Sequence, residues 1–467
     1  MQIDENQIRQ IVEDVMRALQ PTASAPTAHG LAPDPEGHGV FRTVEDAIGA
    51  ADEAQRAFAA LGLEKRKEII AAVRRCGDEH AEMLARLAVD ETRMGRYEDK
   101  VLKNRFNARY APGVEDLPSE YGRNESGSVV QVYDPVGVVA AIAPVTNPTS
   151  TIINNAILIL SAGNAVVFCP HPSARACSQK AMTLLNEAMV AAGAPRNLLT
   201  CLAEPDIRSA GAIMKHPRVR LVNATGGPGV VRAALESGKK AIAAGPGNPP
   251  VVVDETADLR RGARAILRGA SFDNDLPCIC EKEIIVVDAV AGDLMRELKA
   301  AGAYELTGRE IEAVTNLVWR DNALNKAYVG KDASVILRDA GVSVSGDPRL
   351  AVFEAPRDHP LAVHEQLMPV LPLLRARDFS EALELAATLE HGFRHTAIIH
   401  SRLLGRIQAF TDRMACTLTV VNAPSVEGNG PPGSGYLAMT LAGPTGEGFT
   451  RPRNYTRQRR IYTAVDG

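Results

Sequence analysis

The residue with the clearest chemical potential is Cys278, in the run Asp273-Asn274-Asp275-Leu276-Pro277-Cys278-Ile279-Cys280 just ahead of a strand-like stretch. A thiolate attacks carbonyl carbon and carries acyl groups as thioesters. A lone cysteine beside apolar neighbours is equally an inert packing group, and the local sequence leaves both readings open. Cys278 and Cys280 make a poor metal pair, because their spacing is short for zinc and no histidine cluster lies nearby. A second candidate is Thr225-Gly226-Gly227-Pro228-Gly229, between a strand and a helix, where backbone N–H groups can approach a phosphate. Arg232 stands where a G-x-G-x-x-G pattern counted from Gly227 needs its third glycine, so the segment also reads as an ordinary turn. The turn Gly245-Pro246-Gly247-Asn248-Pro249-Pro250 separates two strand-like runs and marks a candidate crossing between domains. None of the ten histidines pairs with a carboxylate at a spacing that spells a metalloenzyme, and no metal site is expected. Pro432-Gly433-Ser434-Gly435 lacks the strand-turn-helix setting of a serine nucleophile.

The elements that must position these residues come from a chain of 467 residues, enough for two or three domains. With 52 basic against 56 acidic residues and 45% hydrophobic content, it is neither a strongly basic nucleic-acid binder nor a disordered chain. Seven scattered cysteines with no paired C-x-x-C argue against a disulfide framework and for a reducing compartment. The longest apolar passage, Ala156 to Val167, is broken by Ser161, Gly163 and Asn164, so no membrane span is expected. The N-terminus lacks the charged start and apolar block of a secretory signal.

Helical spacing is seen over Val44 to Phe58, with Thr43 and Asp46 at its start, and again over Leu63 to Cys76 and Asp78 to Thr92. From about Ser128 strand-like runs appear: Val136 to Ile142, Ala165 to Cys169, Leu198 to Leu202, Val219 to Ala224, Pro250 to Asp254 and Glu283 to Val287. Helical segments such as Ala174 to Ala192 and Gly229 to Ser237 lie between them, which predicts an α/β fold with parallel strands. At the start, Ile8, Ile11, Val12, Val15, Met16 and Leu19 predict one amphipathic helix over residues 1–20. Residues 21–40, poor in large apolar side chains, predict a flexible linker. Pattern alone leaves two fates for that helix, docking on a partner or packing against its own body.

The order of these segments resembles the aldehyde dehydrogenase superfamily from about Phe41 to Tyr462. Ala143-Pro144-Val145-Thr146-Asn147-Pro148 is similar to its Pro-x-Asn-x-Pro segment, and Ser161 to Val167 to the strand leading to the cofactor. Thr225-Gly226-Gly227 falls at its nicotinamide-cofactor turn. Gly245 to Pro249 resembles its Leu-Gly-Gly-Lys-x-Pro stretch, Cys278 falls at its nucleophile, and Glu365-Gln366-Leu367-Met368-Pro369-Val370 resembles its Glu-x-Phe-Gly-Pro-Val segment. Acid-forming members carry a water-activating glutamate two residues before the first glycine of that stretch; here the position is Ala243. Cys169-Pro170-His171-Pro172 replaces the Lys-Pro pair that touches the adenosine ribose. With Tyr97 to Asn104 and Ala442 to Gly448, the wording resembles the CoA-acylating aldehyde dehydrogenases of bacterial microcompartments, of the propionaldehyde and acetaldehyde type.

The resemblance implies a Rossmann-type cofactor domain over 41–124 and 136–246, an α/β catalytic domain over 247–446, and a small β oligomerisation arm from 125–135 and 447–467. It implies Cys278 as nucleophile and Asn147, with the Cys278 N–H, as oxyanion donors. Pro144, Thr146, Cys169, His171, Thr225, Gly226, Gly227, Gly245 and Glu365 would contact NAD, and coenzyme A would be cosubstrate. The implied reaction oxidises a short-chain aldehyde to acyl-CoA, the alternative being hydrolytic release of the free acid. The implied setting is cytoplasmic, inside a microcompartment, as a dimer or tetramer with residues 1–20 docked on a shell protein.

Overall fold

The computed structural model describes residues 38–431, 433 and 435–464. The expected helix over 1–20 and the linker up to residue 37 lie outside the described residues.

Two parallel sheets organise the chain. In the first, the strand order is Val40–Phe41, Leu199–Leu202, Ala165–Pro170, Val138–Ala143, Val219–Thr225, Lys240–Ala244. Every neighbouring pair is parallel. The two central strands, VVAAIA and AVVFCP, are buried at every position, as strands covered on both faces must be. The order reverses beside Val138–Ala143, creating a crevice at the carboxyl ends of the strands, where open α/β sheets bind ligands. Helix Val44–Ala59 begins as its sequence predicts, Thr43 Oγ1 accepting from the Asp46 N–H at 3.2 Å.

The second sheet runs Tyr304–Glu305, Ala351–Glu354, Val370–Ala376, Glu283–Val287, Pro250–Val253, Thr396–His400, Leu418–Val421, again all parallel. The turn Gly245 to Pro249 joins the last strand of the first sheet to Pro250–Val253 of the second.

Three boundaries differ from the sequence reading. The linker does not extend to residue 40, because Val40 is buried and pairs with Cys201. Gly39 permits this: a Cβ there would lie 2.2 Å from the Leu199 carbonyl oxygen, and its own carbonyl accepts from the Cys201 N–H at 2.8 Å. The arm also begins earlier than 125. Glu120–Asn124 pairs antiparallel with Gly127–Pro135, whose other edge pairs with Thr456–Ala464. Finally, residues 447–455 do not belong to the arm as a block. Tyr455 is fully buried in the core around the first sheet, and its hydroxyl donates to Asn223 Oδ1 at 3.0 Å.

Candidate active site

A cleft of about 1430 Å³ opens where the carboxyl ends of the first sheet face the loops leading into the second. All the site residues named from the sequence line it: Pro144, Thr146 and Asn147 after one strand, Cys169 and His171 after the next, Thr225, Gly226, Gly227 and Gly245, then Cys278 and Glu365.

Local sequence accounts for each placement. Pro148 is the first residue of the fully buried helix Pro148–Ser161, which leaves Asn147 at its N-cap at the mouth of the crevice. Thr225 ends a strand, and helix Pro228–Leu235 starts with Gly227 as an N-cap that offers no side-chain acceptor. Pro228 has no N–H and the Val230 N–H donates to the Gly227 carbonyl at 3.0 Å, which leaves the Gly229 N–H of that turn to face an anion. A Cβ on Gly227 or Gly229 would meet nothing within 4 Å, so there is free space over that turn.

Cys278 is half-buried. Burial, reinforced by the Glu365 carboxylate, pushes the thiol up to about 12, against the opposing pull of Lys282 and Lys103. The thiol is therefore protonated at neutral pH. Alkylation of the cofactor-free enzyme by iodoacetamide is expected to rise about tenfold per pH unit from pH 7 to 9, since only the thiolate reacts. A plateau below pH 9 would contradict this. Burial raises Glu365 to about 7, while Lys282 and the Gly247 N–H, 3.4 Å from Oε1, favour its ionised form.

Several residues of the site were invisible in the sequence. Lys103, on helix Tyr97–Tyr110, lines the cleft and donates to Asn147 Oδ1 at 2.5 Å. Lys282 is fully buried, its ammonium 2.8 Å from Asp275. His395 is buried with Nδ1 2.9 Å from Thr396 Oγ1 and Nε2 unpartnered; burial, then Lys282, lowers it to about 4, so the ring is neutral. It packs on Gly247, where a Cβ would stand 3.1 Å from the ring and 2.8 Å from the Cys278 carbonyl oxygen. The sequence signal for Lys103 was a helix with no apolar stripe, whose buried face in the structure is Lys100, Val101, Lys103, Asn104, Asn107 and Ala108.

Ala243, where acid-forming enzymes carry their glutamate, is fully buried in the strand Lys240–Ala244, its N–H donating to Thr445 Oγ1 at 3.1 Å. Among the described residues, no group of three or more His, Cys, Asp or Glu is arranged to hold a metal, and no helix is long and apolar enough to cross a membrane.

The model of the aldehyde dehydrogenase family matches residues 38–327. The chain is 42% identical over 466 residues to acetaldehyde dehydrogenase (acetylating) EutE of Salmonella typhimurium, covering 98% of each. The chain belongs to the aldehyde dehydrogenase family. Among solved structures, this aldehyde dehydrogenase is similar to a propionaldehyde dehydrogenase from the Clostridium phytofermentans fucose utilisation bacterial microcompartment. The TM-score is 0.90 at 44% identity, covering 91% of this chain and 98% of that one. A Rhodopseudomonas palustris propionaldehyde dehydrogenase with bound CoA and an acylated cysteine matches with TM-score 0.90 at 42% identity, over 91% of this chain and 98% of that one. The aldehyde dehydrogenase fold expected from the sequence is the fold observed.

Proposed function

We propose that the chain oxidises a short-chain aldehyde, of the acetaldehyde or propionaldehyde class, to its acyl-CoA thioester with NAD as hydride acceptor. The observation that carries this reading is a cysteine facing the cleft while the hydrolytic position holds only the buried methyl of Ala243. The acylated cysteine and bound CoA of the Rhodopseudomonas palustris relative support it. The cleft fits a dinucleotide in volume, in its uncapped helix N-terminus and in the Glu365 carboxylate on its wall.

In this mechanism Cys278 Sγ loses its proton and attacks the carbonyl carbon, forming a thiohemiacetal. The oxygen gathers negative charge between the Asn147 side-chain N–H and the Cys278 backbone N–H, donors fixed before reaction; losing one such donor costs about 100- to 1000-fold. When bound, NAD supplies the hydride acceptor. Cys278 is then left carrying an acyl thioester, and with no carboxylate at position 243 the site does not activate water against it. The CoA thiol attacks the acyl carbon, the Cys278 thiolate leaves, and the thiol's proton restores the cysteine. Aldehyde, NAD and CoA thiol become acyl-CoA, NADH and a proton.

Without CoA, NADH formation from acetaldehyde or propionaldehyde is expected to stop after about one equivalent per active site, the burst of an acyl-enzyme that accumulates. Sustained full-rate turnover to free acid would overturn the reading in favour of hydrolysis. Chain length is set by an apolar wall that includes Leu102, Phe106, Tyr110 and Met439, where one methylene is worth about 1–3 kcal/mol.

Residues 1–20 we assign to docking on a microcompartment shell protein, which places the enzyme inside such a compartment in the cytoplasm. Their amphipathic pattern and the microcompartment origin of the Clostridium phytofermentans relative support this. Deleting them is expected to leave turnover intact and abolish co-purification with shells; unchanged encapsulation would reject the assignment. The arm, with Tyr121, Ile461 and Tyr462 exposed, supports assembly as a dimer or tetramer, which light scattering of an arm-truncated variant tests.

A further inference from the structure

We propose that Lys103 is a positioning residue for the oxyanion donor. Anchored by Asp273, its ammonium holds the Asn147 amide with the NH2 group toward the cleft. The inference rests on Asn147 serving as that donor.

An asparagine at an N-cap ordinarily turns its side-chain oxygen onto a free N–H of the first helical turn. Asn147 makes no such bond, although its backbone carbonyl accepts from the Thr151 N–H at 3.1 Å and so starts the helix. Its Oδ1 lies instead 2.5 Å from Lys103 Nζ, and its Nδ2 donates to Thr146 Oγ1 at 3.0 Å. An ammonium can only donate, so the amide atom facing Lys103 must be the carbonyl oxygen. Lys103 thereby removes the flipped state, in which the oxygen would face the cleft and repel the developing oxyanion. One N–H of Nδ2 remains for the substrate oxygen after the bond to Thr146.

The lysine is itself held. Its ammonium contacts Asp273 Oδ2 directly, and Lys100 Nζ sits 3.1 Å from the same oxygen and 3.2 Å from the Thr146 carbonyl. Asp273 Oδ1 accepts from the Arg96 N–H at 2.7 Å, and the Asp273 N–H donates to Asp99 Oδ2 at 2.9 Å. Asp273, Asn274 and Asp275 are three successive left-handed residues, φ 49°, 56° and 63°, a strained conformation that persists because so many contacts fix it. They lead directly into Leu276-Pro277-Cys278. One run of backbone thus carries the nucleophile and, through Asp273 and Lys103, orients the donor opposite it.

The test uses the full-length enzyme with NAD, CoA and propionaldehyde. Variants are Lys103→Met, Lys103→Arg, Lys103→Gln, Asn147→Ala and the double variant Lys103→Met with Asn147→Ala. Lys103→Met is expected to lower kcat about 100-fold, within the range for a lost oxyanion donor. NADH affinity should stay within about threefold, and in the Asn147→Ala background the same change should cost less than about threefold, the non-additivity of coupled residues. Lys103→Arg, still a donor only, should recover about tenfold over Lys103→Met. Lys103→Gln, which can face either end of the amide, should fall between them and serves if Lys103→Met does not fold. Additive losses in the double variant, or loss of NADH affinity in step with kcat, would overturn the proposal by showing a role in the fold alone. An Asn147→Ala enzyme with unchanged turnover would overturn the reading of Asn147, and the proposal with it.

Discussion

Replacing Cys278 with alanine is expected to abolish aldehyde oxidation, with a loss of at least about 10⁴-fold, the scale seen when a covalent nucleophile is removed. In the proposed mechanism the loss is total because the cysteine does two jobs: it forms the hydride-donating adduct and then stores the acyl group. Cys280 cannot replace it, since its side chain is fully buried and does not line the cleft. The fold should tolerate the change, because Cys278 is only half-buried and its side chain closes no ion pair. Mass spectrometry after incubation with NAD and aldehyde, without CoA, should find one acyl adduct on the parent enzyme and none on Cys278→Ala. A Cys280→Ala control should retain the adduct. Turnover by the Cys278→Ala enzyme, or an adduct at another cysteine, would refute the assignment.

Lys282→Met is expected to destabilise the protein by about 3–5 kcal/mol, the usual cost of breaking a buried ion pair from one side. The Lys282 ammonium lies 2.8 Å from both a carboxylate oxygen and the backbone carbonyl of Asp275. Its N–H donates to the Pro249 carbonyl at 2.9 Å, and its carbonyl accepts from Gln366 Nε2 at 2.8 Å, beside Glu365. Burial disfavours this ammonium, yet Asp275, Cys280 and Glu365 outweigh that and hold its pKa above the ordinary value. Without it Asp275 is an unpaired buried carboxyl, and Glu283, also fully buried, loses the cation that favours its charge. The sign follows: burial already holds Asp275 well above the ordinary carboxylate range with Lys282 opposing it, and losing Lys282 raises it further, so the deficit should shrink as pH falls and the carboxyl is protonated. Urea titration at pH 7 and pH 5 measures both effects. Adding Asp275→Asn should restore part of the loss, and a change under about 1 kcal/mol at pH 7 would contradict the assignment.

What the sequence disclosed followed from physical pattern. Val138–Ala143 and Ala165–Pro170 were readable because strands covered on both faces need uninterrupted apolar runs, and Thr43 because caps have a short signature. The cleft residues were readable from the order of their motifs, whose pieces had been ambiguous one by one. The buried charges were not. Glu281-Lys282-Glu283 looks like a solvated run, yet all three are fully buried, because Ser425, Asp275 and neighbouring groups come from elsewhere in the chain. Lys103 meets Asp273 across 170 positions, a separation that no local window detects. Glu120–Asn124 was missed because it is exposed at every position and so carries no alternation. The sequence reading names no strand after Glu283–Val287, although Ala351–Glu354 and Val370–Ala376 belong to the same sheet.

The two flanks of the cleft differ in how they will respond to directed evolution. The stretch from Asp273 to Cys278 is stitched by lysines at Asp273 and Asp275, so most replacements there shift several groups of the cleft at once. Leu102, Phe106 and Tyr110, which also line the cleft, recur every fourth residue along one helix, with Leu102 and Tyr110 exposed. A library seeking longer or branched aldehydes should accordingly find its improved members among those three positions, while the strap opposite stays invariant in every survivor.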